Sequence, residues 1–165
     1  WKLYDEFLNP LNKEEIYKAV QASSSMPLCS KMVKINNYHY LDGAVTNSIP
    51  INIPIDKKHK NILVVLTRDK NNRKPEVTKT MKKVYKKVYE KYPELVNKLN
   101  TIPDRYNKTK EYINELEKEG RIIVVQPKKE VTVSRLERDK KKLQSLYEDG
   151  VNDMKEKLEE LKSIL

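Results

Sequence analysis

Tyr38-His39-Tyr40-Leu41-Asp42-Gly43-Ala44 interrupts a chain whose patterning is otherwise lysine-rich and largely helical. Just before it, Lys31-Met32-Val33-Lys34-Ile35 alternates polar and apolar residues, the signature of a half-buried strand. Asn36-Asn37 can turn that strand, because asparagine tolerates positive φ better than most residues. Tyr38 to Leu41 then runs back as the second strand of a hairpin and ends on an acid followed by glycine. A carboxylate at a strand end, backed by a residue that lets the chain bend, is one way a fold presents a catalytic acid. A polar turn closing a hairpin uses the same residues, and the hairpin alone leaves both readings open.

Outward from this stretch, the upstream side is a helix over Lys13 to Gln21 with Asn12 as N-cap and Ile16, Ala19 and Val20 toward the core. It runs through Ser23-Ser24-Ser25, which suit helix-end hydrogen bonding, into the break at Pro27. Downstream, Ile49 to Ile55 places prolines where no central strand could hold them, so extended or short helical structure is expected. Asn61 to Thr67 is a continuous apolar run with branched residues, which suits a strand buried on both faces of a parallel α/β sheet. Arg68 to Lys74 reads as a charged, mobile loop. Pro75 and Glu76 open a long helix with Met81, Val84, Tyr85, Val88, Tyr92 and Leu95 on one face and lysines opposite, kinked or restarted at Pro93. That helix reads as docked on the core with a solvated lysine face, or as a basic amphipathic helix on anionic lipid. A further helix runs from Pro103 to a C′ residue at Gly120, burying Tyr106, Ile113 and Leu116. Arg121 to Gln126 is a second short strand stopped by Pro127, with Val131 and Val133 as an edge. Ser134-Arg135-Leu136-Glu137 has capping-box spacing and starts a helix with Leu136, Leu143 and Leu146 inward. A last helix from Val151 carries Met154, Leu158, Leu161 and Leu165.

The order of these pieces resembles the C-terminal half of the patatin-like phospholipase family. It comprises a helix, Ala22-Ser23-x-x-Met26-Pro27, the hairpin, Asp42-Gly43-Ala44, then Asn47-Ser48-Ile49-Pro50. The likeness continues through Ile62 to Thr67, Arg105-Tyr106-Asn107, Glu119-Gly120-Arg121 and Ser134 to Glu137, as in the bacterial branch with an added helical C-terminal region. The resemblance implies a serine lipid acyl hydrolase whose active-site aspartate is Asp42, with Gly43 and Ala44 completing its motif. It implies a Ser-Asp dyad without histidine. It also implies an α/β fold: residues 1–70 would end a three-layer catalytic domain containing the short hairpin and buried parallel strands. Residues 71–165 would form a helical region with one further strand on the same core.

Such an enzyme also needs a serine on a G-x-S-x-G elbow and a glycine-rich oxyanion loop. The three glycines here, Gly43, Gly120 and Gly150, are far apart, so neither the nucleophile nor the oxyanion loop is in this sequence. The expectation is a C-terminal portion, inactive by itself, whose partners are the missing N-terminal half and a lipid ester substrate.

Composition narrows the alternatives. A chain of 165 residues with 35% charged and 38% hydrophobic residues suits one domain with a modest core. The net charge of +10 points to a negative partner, and a non-catalytic basic module on anionic membrane or nucleic acid is the competing function class. Nucleic acid is not expected as a partner, since the tyrosines fall on the apolar faces rather than interleaving with the basic ones. One cysteine, Cys29, excludes an internal disulfide and suits a reducing, cytoplasmic setting with peripheral membrane contact. No apolar run approaches the roughly 20 residues of a membrane span. His39, three residues before Asp42, should point away from it, and His59 lies among lysines; neither spacing suggests a metal site, and no cofactor is expected. Oligomeric state is open, because an uncovered sheet edge could pair with a second copy.

Overall fold

The computed structural model describes residues 13–134 and 136–163, so the expectations for Trp1 to Pro10, Asn12, Arg135 and Leu165 fall outside the described residues. The elements in chain order are α1 (Lys13–Ser23), β1 (Val33–Ile35), β2 (Tyr38–Tyr40), a 3-10 turn (Gly43–Val45), α2 (Asn52–Asp56), β3 (Leu63–Val65), α3 (Lys79–Val88), α4 (Pro93–Asn100), α5 (Ile102–Lys118), β4 (Ile123–Val125), α6 (Lys140–Glu156) and α7 (Leu158–Lys162). Helices and two small sheets make this a mixed α/β chain. It forms two compact units, each from separated stretches: the stretch ending at Ile49 with Glu76–Arg105, and Pro50–Pro75 with the stretch from Tyr106 onward.

In the first unit, Glu14 and Glu15 sit at the positive end of α1. The helix packs against β1 and buries Ala22. Ile16 and Val20, expected in the core, are exposed instead. The helix seats through its last turn, so its upstream apolar stripe is uncovered among the described residues. The hairpin forms as its alternation dictates, with Val33 opposite Tyr40 and Ile35 opposite Tyr38. Asn36 takes the positive φ of the turn, +53°.

The helix expected from Pro75 begins at Lys79, because the Thr78 hydroxyl accepts the Met81 N–H at 3.2 Å and caps it there. Pro93 restarts the chain as α4. Between the two helices, Tyr89 is buried with Val45 and Leu99, and Met32, Leu41, Tyr85, Leu95, Val96 and Ile102 pack around them. The Tyr89 hydroxyl accepts the Leu28 N–H at 2.9 Å, which satisfies the one polar atom of a buried ring. The helix is thus turned about its axis from the expected orientation. Tyr85 and Tyr89 face the core, and Met81, Val84 and Val88 face out.

In the second unit β3 and β4 pair in parallel, Leu63 opposite Ile123 and Val65 opposite Val125. All of β4 is buried, but in β3 only Val64 is; Leu63 and Val65 are exposed. Burial on both faces therefore fails for β3, whose sheet has two strands and a cover on one side. Val131 and Val133 add no edge strand, since Pro127 breaks the ladder just after Val125. Helix α5 buries Ile113 and Leu116, with Tyr106 half-buried. It closes at Gly120, φ +68°, where the Gly120 and Arg121 N–H groups donate back to Glu117 and Leu116. Lys58, φ +56°, closes α2 by the same pattern, with His59 N–H donating to Pro54 and Lys58 N–H to Ile55.

Three further expectations change. Ser134 to Glu137 is no capping box; the Glu137 carboxylate accepts from Arg138 and Asp139 N–H groups, which holds it below the usual carboxylate range, and Asp139 caps α6. Helix α6 then runs unbroken through Val151. The Arg68 to Lys74 loop is pinned by hydrogen bonds. Arg68 donates to the Val131 carbonyl at 2.8 Å, and Asn107 holds both backbone groups of Lys74. Lys110, 0% exposed, donates to the Asp69 carbonyl at 3.1 Å and to Gln126 Oε1 at 3.0 Å. Burial, then the nearby Arg73, pushes the Lys110 ammonium below the ordinary lysine value.

Candidate active site

Asp42 lies two residues past the end of β2 and caps the 3-10 turn, its Oδ1 accepting the Ala44 N–H at 2.8 Å. Its backbone N–H donates to the Ser25 carbonyl at 2.9 Å, which ties the loop to the end of α1. Ser25 is itself buried and fixed, its hydroxyl donating to the Gln21 carbonyl at 2.7 Å; Ser24 likewise bonds Val20 and Gln21. The serines thus end a helix, as their position implies.

Arg105 bolts down the other side of the loop. Its guanidinium donates to the carbonyls of Thr46 and Val45, the latter at 2.7 Å, and to the Lys98 carbonyl at 2.7 Å. Three carbonyls converging on one planar cation suit the fork of five donors that arginine carries. Burial lowers its proton affinity, yet a guanidinium so placed stays charged. The spacing of Arg105 in the sequence marks no such role; only the resemblance draws attention to it.

Asp42 lies in the wall of an open cleft of about 380 Å³, with Tyr38, Leu41, Val45, Tyr92 and Leu95 among its lining. That volume lies within the range of small-ligand sites, roughly 300–1,000 Å³, and its walls are mainly apolar. Among the described residues, Asp42 Oδ2 takes no hydrogen bond, so one carboxylate oxygen holds the turn and the other does not. His39 does not turn away from the cleft but lines it too, its ring 6.4 Å from that of Tyr92. Strand β2 ends at Tyr40, so its alternation does not carry through to Asp42. His59 is exposed and belongs to the second unit, and Cys29 is exposed. Among the described residues no three of His, Cys, Asp and Glu are grouped to hold a metal ion.

Gly43 has no strained φ, and a Cβ built there would meet nothing within 4 Å. The residues around it give no reason for glycine.

Compared with known families, residues 1–55, which include the hairpin and Asp42-Gly43-Ala44, match the Patatin-like phospholipase family. This segment is patatin-like. Residues 92–165 match a domain of unknown function, DUF6363. No curated protein and no solved structure gives a match. The cleft draws on both matched segments: the patatin-like one supplies Asp42 and Leu41, and the other supplies Tyr92 and Leu95, with Arg105 behind the loop. Among the described residues no helix is long and apolar enough to cross a membrane.

Proposed function

We propose that this chain is the C-terminal portion of a serine lipid acyl hydrolase in which Asp42 serves a Ser-Asp dyad. Residues 1–70 end its three-layer catalytic domain, and residues 71–165 add the helical region and β4, the strand that pairs with β3. The observation that carries this reading is the split use of the Asp42 carboxylate at the cleft, one oxygen committed to the turn and one not. In the complete enzyme Asp42 accepts the proton of a serine held on an elbow outside these 165 residues. The serine oxygen attacks the ester carbonyl, and backbone N–H groups of a glycine loop hold the oxyanion. The alcohol leaves with the proton, and water then releases the fatty acid and restores the serine. The apolar lining, with Leu41, Val45 and Leu95, suits an acyl chain. Gly43 fits the same picture, since the elbow backbone needs room beside the aspartate.

Asp42→Asn in the intact enzyme is the test. The amide keeps the acceptor for the Ala44 N–H but cannot take a proton from serine, so esterase activity should vanish while thermal stability stays close to wild type. Asp42→Ala should lose the activity and, with the cap, about 1 kcal/mol of stability as well. An Asp42→Asn enzyme that still hydrolyses esters would refute the assignment. These 165 residues alone should neither hydrolyse a fatty-acyl ester nor react with a fluorophosphonate.

A further inference from the structure

The helix that leads to the cleft, α3, has a charge pattern unlike its neighbours. Lys79, Lys82, Lys83, Lys86 and Lys87 fall within its ten residues without a single acid, whereas α5 and α6 mix both signs. Among the described residues none of the five forms an ion pair. At 3.6 residues per turn these lysines fill one side of the helix. Tyr85 and Tyr89 take the flank against the core. Between the two lies an apolar strip that nothing described covers: Met81 is 38% exposed, Val84 37% and Val88 56%. Past the helix end, Tyr92, 41% exposed, stands in the cleft wall with Asp42. Leu28, exposed and bonded through its N–H to Tyr89, adds apolar surface at the same end.

We infer that α3 is a docking element for an anionic lipid surface, laying Met81, Val84 and Val88 on the acyl boundary with its lysines against the headgroups. This rests on the lipid hydrolase reading of the cleft and names where that cleft meets its substrate. Charge selects the partner. A neutral protein face would bury the strip but leave five like charges unbalanced, whereas an anionic bilayer balances both. Nucleic acid would answer the lysines and leave the strip wet. A helix so seated opens the cleft, through Tyr92, at the level of the lipid esters rather than toward bulk water.

Cosedimentation of the 165-residue chain with phosphatidylglycerol vesicles tests this without any turnover. Binding should be strong, weaken as salt rises from about 0.05 to 0.5 M, and be far weaker on phosphatidylcholine alone. Each lysine among 82, 83, 86 and 87 changed to glutamine should lower the partition coefficient about fivefold. Val84→Asp and Val88→Asp should lower it at unchanged lysine count, with far-UV circular dichroism confirming the fold. Asp42→Asn in the 165-residue chain should bind vesicles as wild type does, which separates this inference from the dyad: the same change abolishing esterase activity in the intact enzyme, with vesicle binding of the chain intact, supports both. Equal binding to both lipids, no binding to phosphatidylglycerol, or lysine variants that bind undiminished would each overturn it. So would a DNA duplex retained by the chain while vesicles are not, or a dimer broken by Val84→Asp.

Discussion

Single side chains in this chain hold backbone as much as they face solvent. Arg105 gathers three carbonyls from two segments, and its loss leaves each of them short of a donor. Arg105→Ala should cost about 2 kcal/mol or more in chemical denaturation, and Arg105→Lys should recover only part of it, because a point charge cannot reach three acceptors in a plane. Lys110 makes a different case. Its ammonium is driven down by burial and by Arg73, with Lys70 acting the same way and Asp69 and Glu117 opposing. A folded-state value below the unfolded one means the unfolded chain holds the proton more tightly. The penalty for keeping Lys110 charged is therefore full at neutral pH and is relieved as pH rises toward the ordinary lysine value. Denaturation of wild type and Lys110→Met between about pH 7 and pH 10 should show wild type gaining on the variant as pH rises. A constant difference across that range would contradict the shift. Asp42 was legible in the sequence because its motif is local. Arg105 and Lys110 were not, because their partners lie 7, 16 and 41 to 60 residues from them on other elements, and no spacing rule encodes such encounters.

At the scale of elements, turn chemistry was the most legible signal. Asn36-Asn37 made its hairpin and Gly120 its helix end, because positive φ costs asparagine and glycine least. Helix starts were less legible: Pro75 and Ser134 carry good start signals, yet Thr78 and Asp139 cap the helices. A cap works only where its oxygen meets an unbonded N–H, and two polar residues a turn apart look alike until the chain is folded. The orientation of α3 departs from its apolar pattern for a related reason. The apolar stripe is real, but it does not say how much of itself the core covers. Lys58 offers a direct check on these ideas. It holds φ +56° at the end of α2, where glycine would pay no steric penalty, so Lys58→Gly should raise stability by about 1 kcal/mol in thermal unfolding. A neutral or destabilising result would mean its side chain makes up for the strain.

Over the whole molecule, the units are interleaved along the chain: Glu76–Arg105 belongs with residues before 50, and Pro50–Pro75 with residues after 105. A cut after residue 70 therefore severs β3 from β4. Residues 71–165 alone would keep three buried β4 residues, Ile123 to Val125, with no strand beside them. That piece should melt without a cooperative transition, whereas the same cut chain mixed with residues 1–70 should regain one. The apolar content of both strands could be read from sequence; the pairing between them could not be told apart from many others.

That pairing also has a consequence in time. Leu63 meets Ile123, sixty residues later in the chain. At a synthesis rate of about 5–20 residues per second, the ribosome needs roughly 3 to 12 seconds to deliver the partner. For that interval Leu63, Val64 and Val65 form a bare apolar edge on a nascent chain, long enough for a chaperone or a neighbouring nascent chain to reach it first. Slowing translation between Arg68 and Arg121 should lower the yield of folded protein more than slowing it anywhere after Val125.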